Sequence, residues 1–423
     1  MPFPKPSSHV ESHTKDVWSL INEAAAQAEK DQGRPVVNLG QGFFSYAPPD
    51  FALAAAKKAI DVPAFNQYSP TRGRPELLNS LAKTYSGSYK RNLDPKTEIL
   101  VTAGANEGMY AAFTAFLDDG DEVIVFEPFF DQYISNIKLP GGVPKFVPIH
   151  PPKDAEKTSS ANNWYIDFDE LEAAITPKTK MMVLNSPHNP IGKVFSEQEL
   201  LKISALAIKH NFILLSDEVY DSLYYGKFTR LGALSPEIYN LTLTVGSAGK
   251  TFAATGWRVG WVIGPEHLIK YVAAAHTRIV FCVNTPLQIA SSEALEIARN
   301  GTYYQDTVKM FKHKYAILQS VFDELGLPYS TSEGGYFLLV NFSKVHIPPD
   351  FQFPESISGR PRDFKLAFWL IHQFGVVAIP PTEFVTPPSY PLLENYQRFA
   401  VCKDDHLLEE AVVRLRALKK YIS

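Results

Sequence analysis

Cysteine is scarce: only Cys282 and Cys402 occur in 423 residues. They lie far apart and in no metal-ligand spacing, which argues against a disulfide framework or a cysteine-built metal centre; no metal is expected, and they read as reduced core thiols. Apolar runs of the roughly 20 residues needed to span a bilayer are missing, so no membrane partner is expected. An excess of one charge is missing too. The 41 basic and 45 acidic residues leave a formal net charge of -4, which gives no electrostatic footing for nucleic acid or an anionic surface. The opening MPFPKPSSHVESHTKDVW lacks both the apolar core of a secretory signal and the Arg-rich, acid-poor character of a transit peptide. Cytosol is the expected compartment, with a mitochondrial pool left open.

With 45% hydrophobic residues, the chain can bury a large core, and its length suggests two domains. The middle of the sequence alternates short apolar runs with amphipathic stretches, the pattern of a parallel sheet flanked by helices. EILVTAG reads as a strand leading into the helix-like NEGMYAAFTAFLDDG. DEVIVFEP, KMMVLNSP, FILLSDEVY, LTLTVGSAG and RVGWVIG follow as further strands. Asn185, Asp217, Ser247 and the Gly104 turn end four of these runs, where open α/β sheets form their ligand crevice. Residues 150–163 and 345–362, rich in Pro, Ser and charge, read as surface insertions. Beyond about residue 305 the pattern suggests a smaller α+β domain, to which the N-terminal segment returns. The expected division is 1–48 as an arm and part of the small domain, 49–305 as the large domain and 306–423 as the small one.

The stretch GSAGKTFAATGWRVGW, Gly246 to Trp261, resembles a phosphate loop at first sight. A Walker loop needs a glycine five residues before the one preceding its lysine, and Thr244 stands there. The segment also carries interior glycines and ends as a strand, whereas a Walker lysine opens a helix. The alternative is a lysine that bonds a cofactor carbonyl. Such a lysine needs an anion cradle and a carboxylate for the cofactor ring. Ser247 and Arg258 are candidates for the cradle, and Asp217 in SDEVY for the carboxylate.

NSPHNPIGKVF, SDEVYDSLYY and GSAGKTFAATGWRVGW, in this order, resemble the class I aminotransferases that use pyridoxal 5'-phosphate (PLP). VNLGQGFFSYAPP, NQYSPTRGRPEL, VTAGANEG, DEVIVFEPFFDQY and YQRFAVCKDD extend the likeness from about Trp18 to the C-terminus. EPFFDQY, GKVFS and GSAGKTFAATGW resemble the kynurenine aminotransferase subgroup, also called glutamine transaminase K and cysteine-S-conjugate β-lyase.

The resemblance implies an α/β protein of the PLP-dependent transferase fold type I, its large domain a mostly parallel sheet between helices. It implies that Lys250 bonds the cofactor and later shuttles the substrate proton. Asp217 would hold the pyridine nitrogen protonated, and Tyr220 and Asn189 would donate to the 3'-oxygen. Ser247, Arg258 and the Gly104-Ala105-Asn106 turn would cradle the phosphate, and Phe130 would stack on the ring. Tyr68 matches a tyrosine that reaches the neighbouring subunit's phosphate, which implies a homodimer. Arg398 matches the arginine that grips the substrate carboxylate, with Asn185 and Gly42 close by. Trp18 and Phe281 match the lining of the side-chain pocket.

The implied reaction is ping-pong transamination of L-kynurenine, whose product cyclises to kynurenic acid, and of other large or sulfur-containing amino acids, with a 2-oxo acid acceptor. Main activity as a β-lyase and a non-enzymatic PLP-binding regulator are the alternatives. Two departures bear on specificity. Phe281-Cys282 stands where animal relatives have Phe-His, and Ala105-Asn106 replaces a Gly-Tyr pair.

Overall fold

The structure is a computed structural model that describes residues 4, 5, 7–10 and 17–422. Much of the opening segment that was read for targeting signals therefore lies outside the described residues, as does Ser423 at the end of the expected small domain.

Eight strands form the central sheet. Their order is Ile99–Thr102, Gly260–Ile263, Thr242–Ser247, Ile213–Asp217, Thr179–Asn185, Glu122–Glu127, Val143–His150 and Tyr165–Ile166. The run from Thr242–Ser247 to Val143–His150 is parallel throughout. Gly260–Ile263 is antiparallel to both its neighbours, and Tyr165–Ile166 to the strand beside it.

Both faces are covered because successive side chains alternate across a strand. Val123, Val125, Met181 and Val183 pack with Met109 and Phe113 of the helix Ala105–Phe116 and with Val272 of Glu266–Ile279. The intervening Ile124, Phe126, Met182 and Leu184 pack with Leu200 and Ile203 of the helix Glu197–His210 on the other side. That helix starts where it does because Ser196 and Glu199 close a capping box. Continuous apolar runs buried on both faces are what a parallel sheet demands.

A second sheet of four strands orders Tyr396–Ala400, Phe337–Asn341, Tyr329–Thr331 and Ser159–Ser160. Val37–Asn38 pairs in parallel with Val376–Val377. Val17, Ile21 and Ala24 of the helix Val17–Gln32 pack on Phe364, Ala367 and Ile371 of Arg362–Phe374.

One expectation needs correction. The stretch 150–163 is more than a surface insertion: Ser159–Ser160 adds an edge strand to the smaller sheet. The adjoining Trp164 is wholly buried and donates its indole N–H to Ser330 Oγ at 2.8 Å. The Pro and Ser that suggested a loop lie before and within this short edge, where few ladder bonds are required.

Candidate active site

Asn185, Asp217 and Ser247 are each the last residue of a parallel strand, so their side chains reach one crevice at the carboxyl edge of the sheet. The crevice opens into a cavity of about 240 Å³. Every residue singled out in the sequence lines it except Gly104, Tyr68 and Phe281. Met109, Val219, Thr255, Phe337 and Phe384 also line it and were not foreseen.

At one end lies an anion cradle. Gly104, at φ 83° and ψ 167°, is the N-cap of the helix Ala105–Phe116. Its amide donates to Thr102 O, and the first helical bond runs from Gly108 to Gly104, so the amides between are left to face a ligand. Arg258 closes over this turn: a Cβ built on Gly104 would come within 2.7 Å of Arg258 Nη2. Gly104 therefore belongs to the cradle although its own surface is covered. Ser247 precedes the short turn Ala248–Thr251 and makes no capping bond with its hydroxyl. Glu107 braces the turn from behind, accepting from the Ala103 amide at 2.9 Å, while His276 Nδ1 lies 3.0 Å from both of its oxygens.

In the middle lie Asp217 and Lys250. Burial pushes the Asp217 carboxyl up to about 6, against the opposing pull of the Tyr133 hydroxyl, the Val219 amide and Lys250. Tyr133 donates to Asp217 Oδ2. It stands in the EPFFDQY motif, yet nothing in the sequence revealed that its partner would be 84 positions away. Burial lowers the Lys250 ammonium to about 8; Cys402 and Asp217 work against the fall, Arg398 and Arg258 with it. A lysine titrating near physiological pH can act as a base or a nucleophile.

At the far end Arg398 leaves the strand Tyr396–Ala400, buried among aromatic rings. Its guanidinium carbon lies 4.4 Å from the Phe337 centroid, 5.0 Å from Phe384 and 5.7 Å from Trp18. Nη1 donates to Asn189 Oδ1 at 3.1 Å and Nη2 to Gly40 O at 2.8 Å, while Nε is buried without a partner. Among the described residues no carboxylate lies within ion-pair distance of it. A buried guanidinium with an idle donor is costly unless an anion joins it. Trp18 Nε1 donates to Asp131 Oδ2 at 3.3 Å, tying the helix Val17–Gln32 over this end.

One placement, that of Phe281, differs from the sequence reading. Asn189 and Asn185, expected at the cofactor 3'-oxygen and near the substrate carboxylate, both line the cavity and are hydrogen-bonded to each other. Asn189 holds Arg398, whereas Asn185 Nδ2 donates to Asp217 O at 3.1 Å and its Oδ1 accepts from the Asn189 amide. Phe281 does not line the cavity of its own chain. The chain turns at φ 68° there and presents the ring outward, 52% exposed, edge-on to Tyr68 at 5.5 Å. Tyr68 is itself 83% exposed and likewise stands outside this cavity.

An anion cradle, a buried carboxylate, a depressed lysine and a carboxylate-seeking arginine on a fold type I scaffold define a PLP-dependent transferase. The family described as Aminotransferase class I and II matches residues 34–415, and the chain belongs to that family. It is 54% identical to the "Probable kynurenine--oxoglutarate transaminase BNA3" of Saccharomyces cerevisiae, over 96% of this chain and 93% of that one. It is 39% identical to the "Kynurenine--oxoglutarate transaminase" of Dictyostelium discoideum, covering 98% and 97%. Among solved structures, that of Bna3p, titled a putative kynurenine aminotransferase of Saccharomyces cerevisiae, superposes with TM-score 0.95 at 54% identity over 97% of each chain. YbdL of Escherichia coli, whose title gives a methionine aminotransferase function, matches with TM-score 0.84 at 28% identity over 98% of this chain and all of that one.

The enzyme is thus a PLP-dependent aminotransferase, and the residues present fit the cofactor. The close approach of Arg258 to Gly104, beside the helix N-terminus, is a cradle for a phosphate dianion. The Asp217 carboxylate, held by Tyr133 and the Val219 amide, suits a pyridinium N–H.

Proposed function

We propose that this enzyme moves the α-amino group of L-kynurenine, and of other large or sulfur-containing amino acids, to a 2-oxo acid, working as a homodimer. The observation that carries the amino-acid reading is Arg398, a buried guanidinium that lines the cavity, with its Nε unpaired and no carboxylate within ion-pair distance among the described residues. A substrate carboxylate supplies the missing anion through two parallel hydrogen bonds. Trp18, Phe130, Phe337 and Phe384 give the cavity aromatic walls that suit an aryl side chain. The kynurenine assignment draws further support from the names of the yeast and Dictyostelium relatives.

Bound PLP supplies an electron sink for the pair released when the substrate Cα–H bond breaks. Lys250 Nζ accepts that proton, and its lowered basicity keeps part of the amine neutral near pH 7. Asp217 keeps the ring nitrogen protonated, and Asn189 fixes the angle of Arg398. Kynurenine's 2-oxo acid carries an aryl amine that closes on its own keto carbon with loss of water, giving kynurenic acid.

The exposed Tyr68–Phe281 pair supports the dimer reading, since it leaves two contacting rings uncovered that a second copy would bury. A Tyr68→Ala chain is expected to retain PLP less tightly, as equilibrium dialysis would show; unchanged retention contradicts the role given to Tyr68.

The specificity is tested by titrating the purified enzyme with a panel of amino donors and following loss of its visible cofactor band. Kynurenine is expected to bleach the band at least as efficiently as aspartate, and Arg398→Lys to lower kcat/KM for every donor by roughly 10- to 100-fold. Bleaching by aspartate but not by kynurenine would overturn the assignment while leaving the reaction class intact.

A further inference from the structure

Lys250 Nζ donates to the phenolic oxygen of Tyr336 at 2.9 Å, and Tyr336 does not itself line the cavity. We propose that Tyr336 is a positioning residue: it receives the Lys250 amine whenever that amine is not bonded to the cofactor, and holds it with its lone pair turned toward the substrate. The inference rests on the role proposed above for Lys250.

Tyr336 Oη donates to Gly42 O at 2.8 Å. A phenol has one proton, so with that proton on Gly42 the oxygen can only accept from Lys250. A neutral amine has two N–H bonds and one lone pair. Fixing one N–H on Tyr336 restricts rotation about the last C–N bond and limits where the lone pair points. Near-attack geometry of this kind governs proton abstraction, and small misplacements cost orders of magnitude in rate.

The ring cannot swing away. Tyr336 is wholly buried, edge-on to Tyr220 at 5.1 Å and to Phe44 at 5.3 Å, and stacked on Phe311 at 6.0 Å. Burial and the neighbouring Tyr220 hold its hydroxyl well above the usual phenol range, so it stays protonated and is no base itself. The acceptor of its proton lies in the segment that also serves Arg398, which donates to Gly40 O. Residues 40–42 thereby anchor the carboxylate grip and the lysine dock together.

The groups that face Lys250 are Asp217 from its strand end, Tyr220 from the turn after it, Arg258, and Arg398 and Cys402 from the strand Tyr396–Ala400 and just beyond. Tyr336→Phe leaves all of them in place and removes one hydroxyl. In enzyme stripped of cofactor, the rate of Lys250 acylation by acetic anhydride is followed against pH by peptide mass spectrometry. An ammonium gains more from an oxygen acceptor than a neutral amine does, so Tyr336→Phe is expected to move the midpoint down by about one pH unit. In steady-state turnover of the holoenzyme, kcat should fall roughly 10- to 100-fold with KM for the donor little changed.

An unmoved midpoint with unaltered kcat, in a variant of wild-type melting temperature, overturns the proposal and leaves Tyr336 as packing. Should the variant fold poorly, 3-fluorotyrosine placed at position 336 keeps the ring and weakens the oxygen as an acceptor. A smaller downward movement is then expected, and none overturns the proposal. Failure of the underlying reading is distinguishable, because it shows as undiminished turnover by Lys250→Ala whatever the Tyr336 variants do.

Discussion

At the scale of single residues, the site is governed by what burial does to charge. Lys250 and Asp217 attract each other, yet desolvation is the larger effect on both: the lysine falls to about 8 and the carboxyl rises to about 6. A lysine brought down from its usual value to about 8 corresponds to about 3 kcal/mol in favour of the neutral amine. The neutral amine is the form that attacks a carbonyl, and its fraction grows as pH rises through the pKa. Capture of PLP by cofactor-free enzyme, followed by stopped-flow absorbance, should therefore accelerate with pH around a midpoint near 8. Asp217→Asn removes a negative charge that favours the ammonium, so its midpoint should lie lower still. A midpoint at the ordinary lysine value, or one raised by Asp217→Asn, contradicts this electrostatic picture. Lys250, Asp217 and Arg398 were legible because each sits in a long motif. Tyr336 and Tyr133 were not, because their importance arises from partners 86 and 84 positions away.

At the scale of elements, the cradle depends on a strand, a turn and a helix meeting at Gly104. Its φ and ψ lie in a region essentially closed to residues with a Cβ, where occupancy costs of order 1–3 kcal/mol. The added methyl would also displace the Arg258 guanidinium. Gly104→Ala is thus expected to weaken PLP binding by about 10- to 100-fold in equilibrium dialysis, and an unchanged affinity would remove the turn from the cradle. The strands that hold the site were readable because apolar runs buried on both faces have a plain signature. Val143–His150 was not among the strands read, since Pro144 and Pro148 break the pattern. It tolerates them because its full ladder runs along one side only, while on the other just Ile149 and His150 are paired. Ser159–Ser160 escaped for a related reason: a two-residue edge strand has no period to detect, and its partner Tyr329–Thr331 lies far along the chain.

At the scale of the whole molecule, the large sheet brings the cradle and Lys250 to one edge, and the smaller sheet brings Arg398 to face them. Val37–Asn38 crosses to pair beside Val376–Val377, and the residues just after it, Gly40 and Gly42, offer their carbonyls to Arg398 and Tyr336. The distance between lysine and arginine is therefore set by packing between the sheets rather than by any local motif. The proposed chemistry needs one amine, that of Lys250, to form the bond to the cofactor. Borohydride treatment of the PLP-loaded enzyme, followed by proteolysis and peptide mass spectrometry, tests it most directly. The pyridoxyl phosphate mass is expected on the peptide carrying Lys250 and on no other; its appearance on a different lysine, or nowhere, would contradict the account.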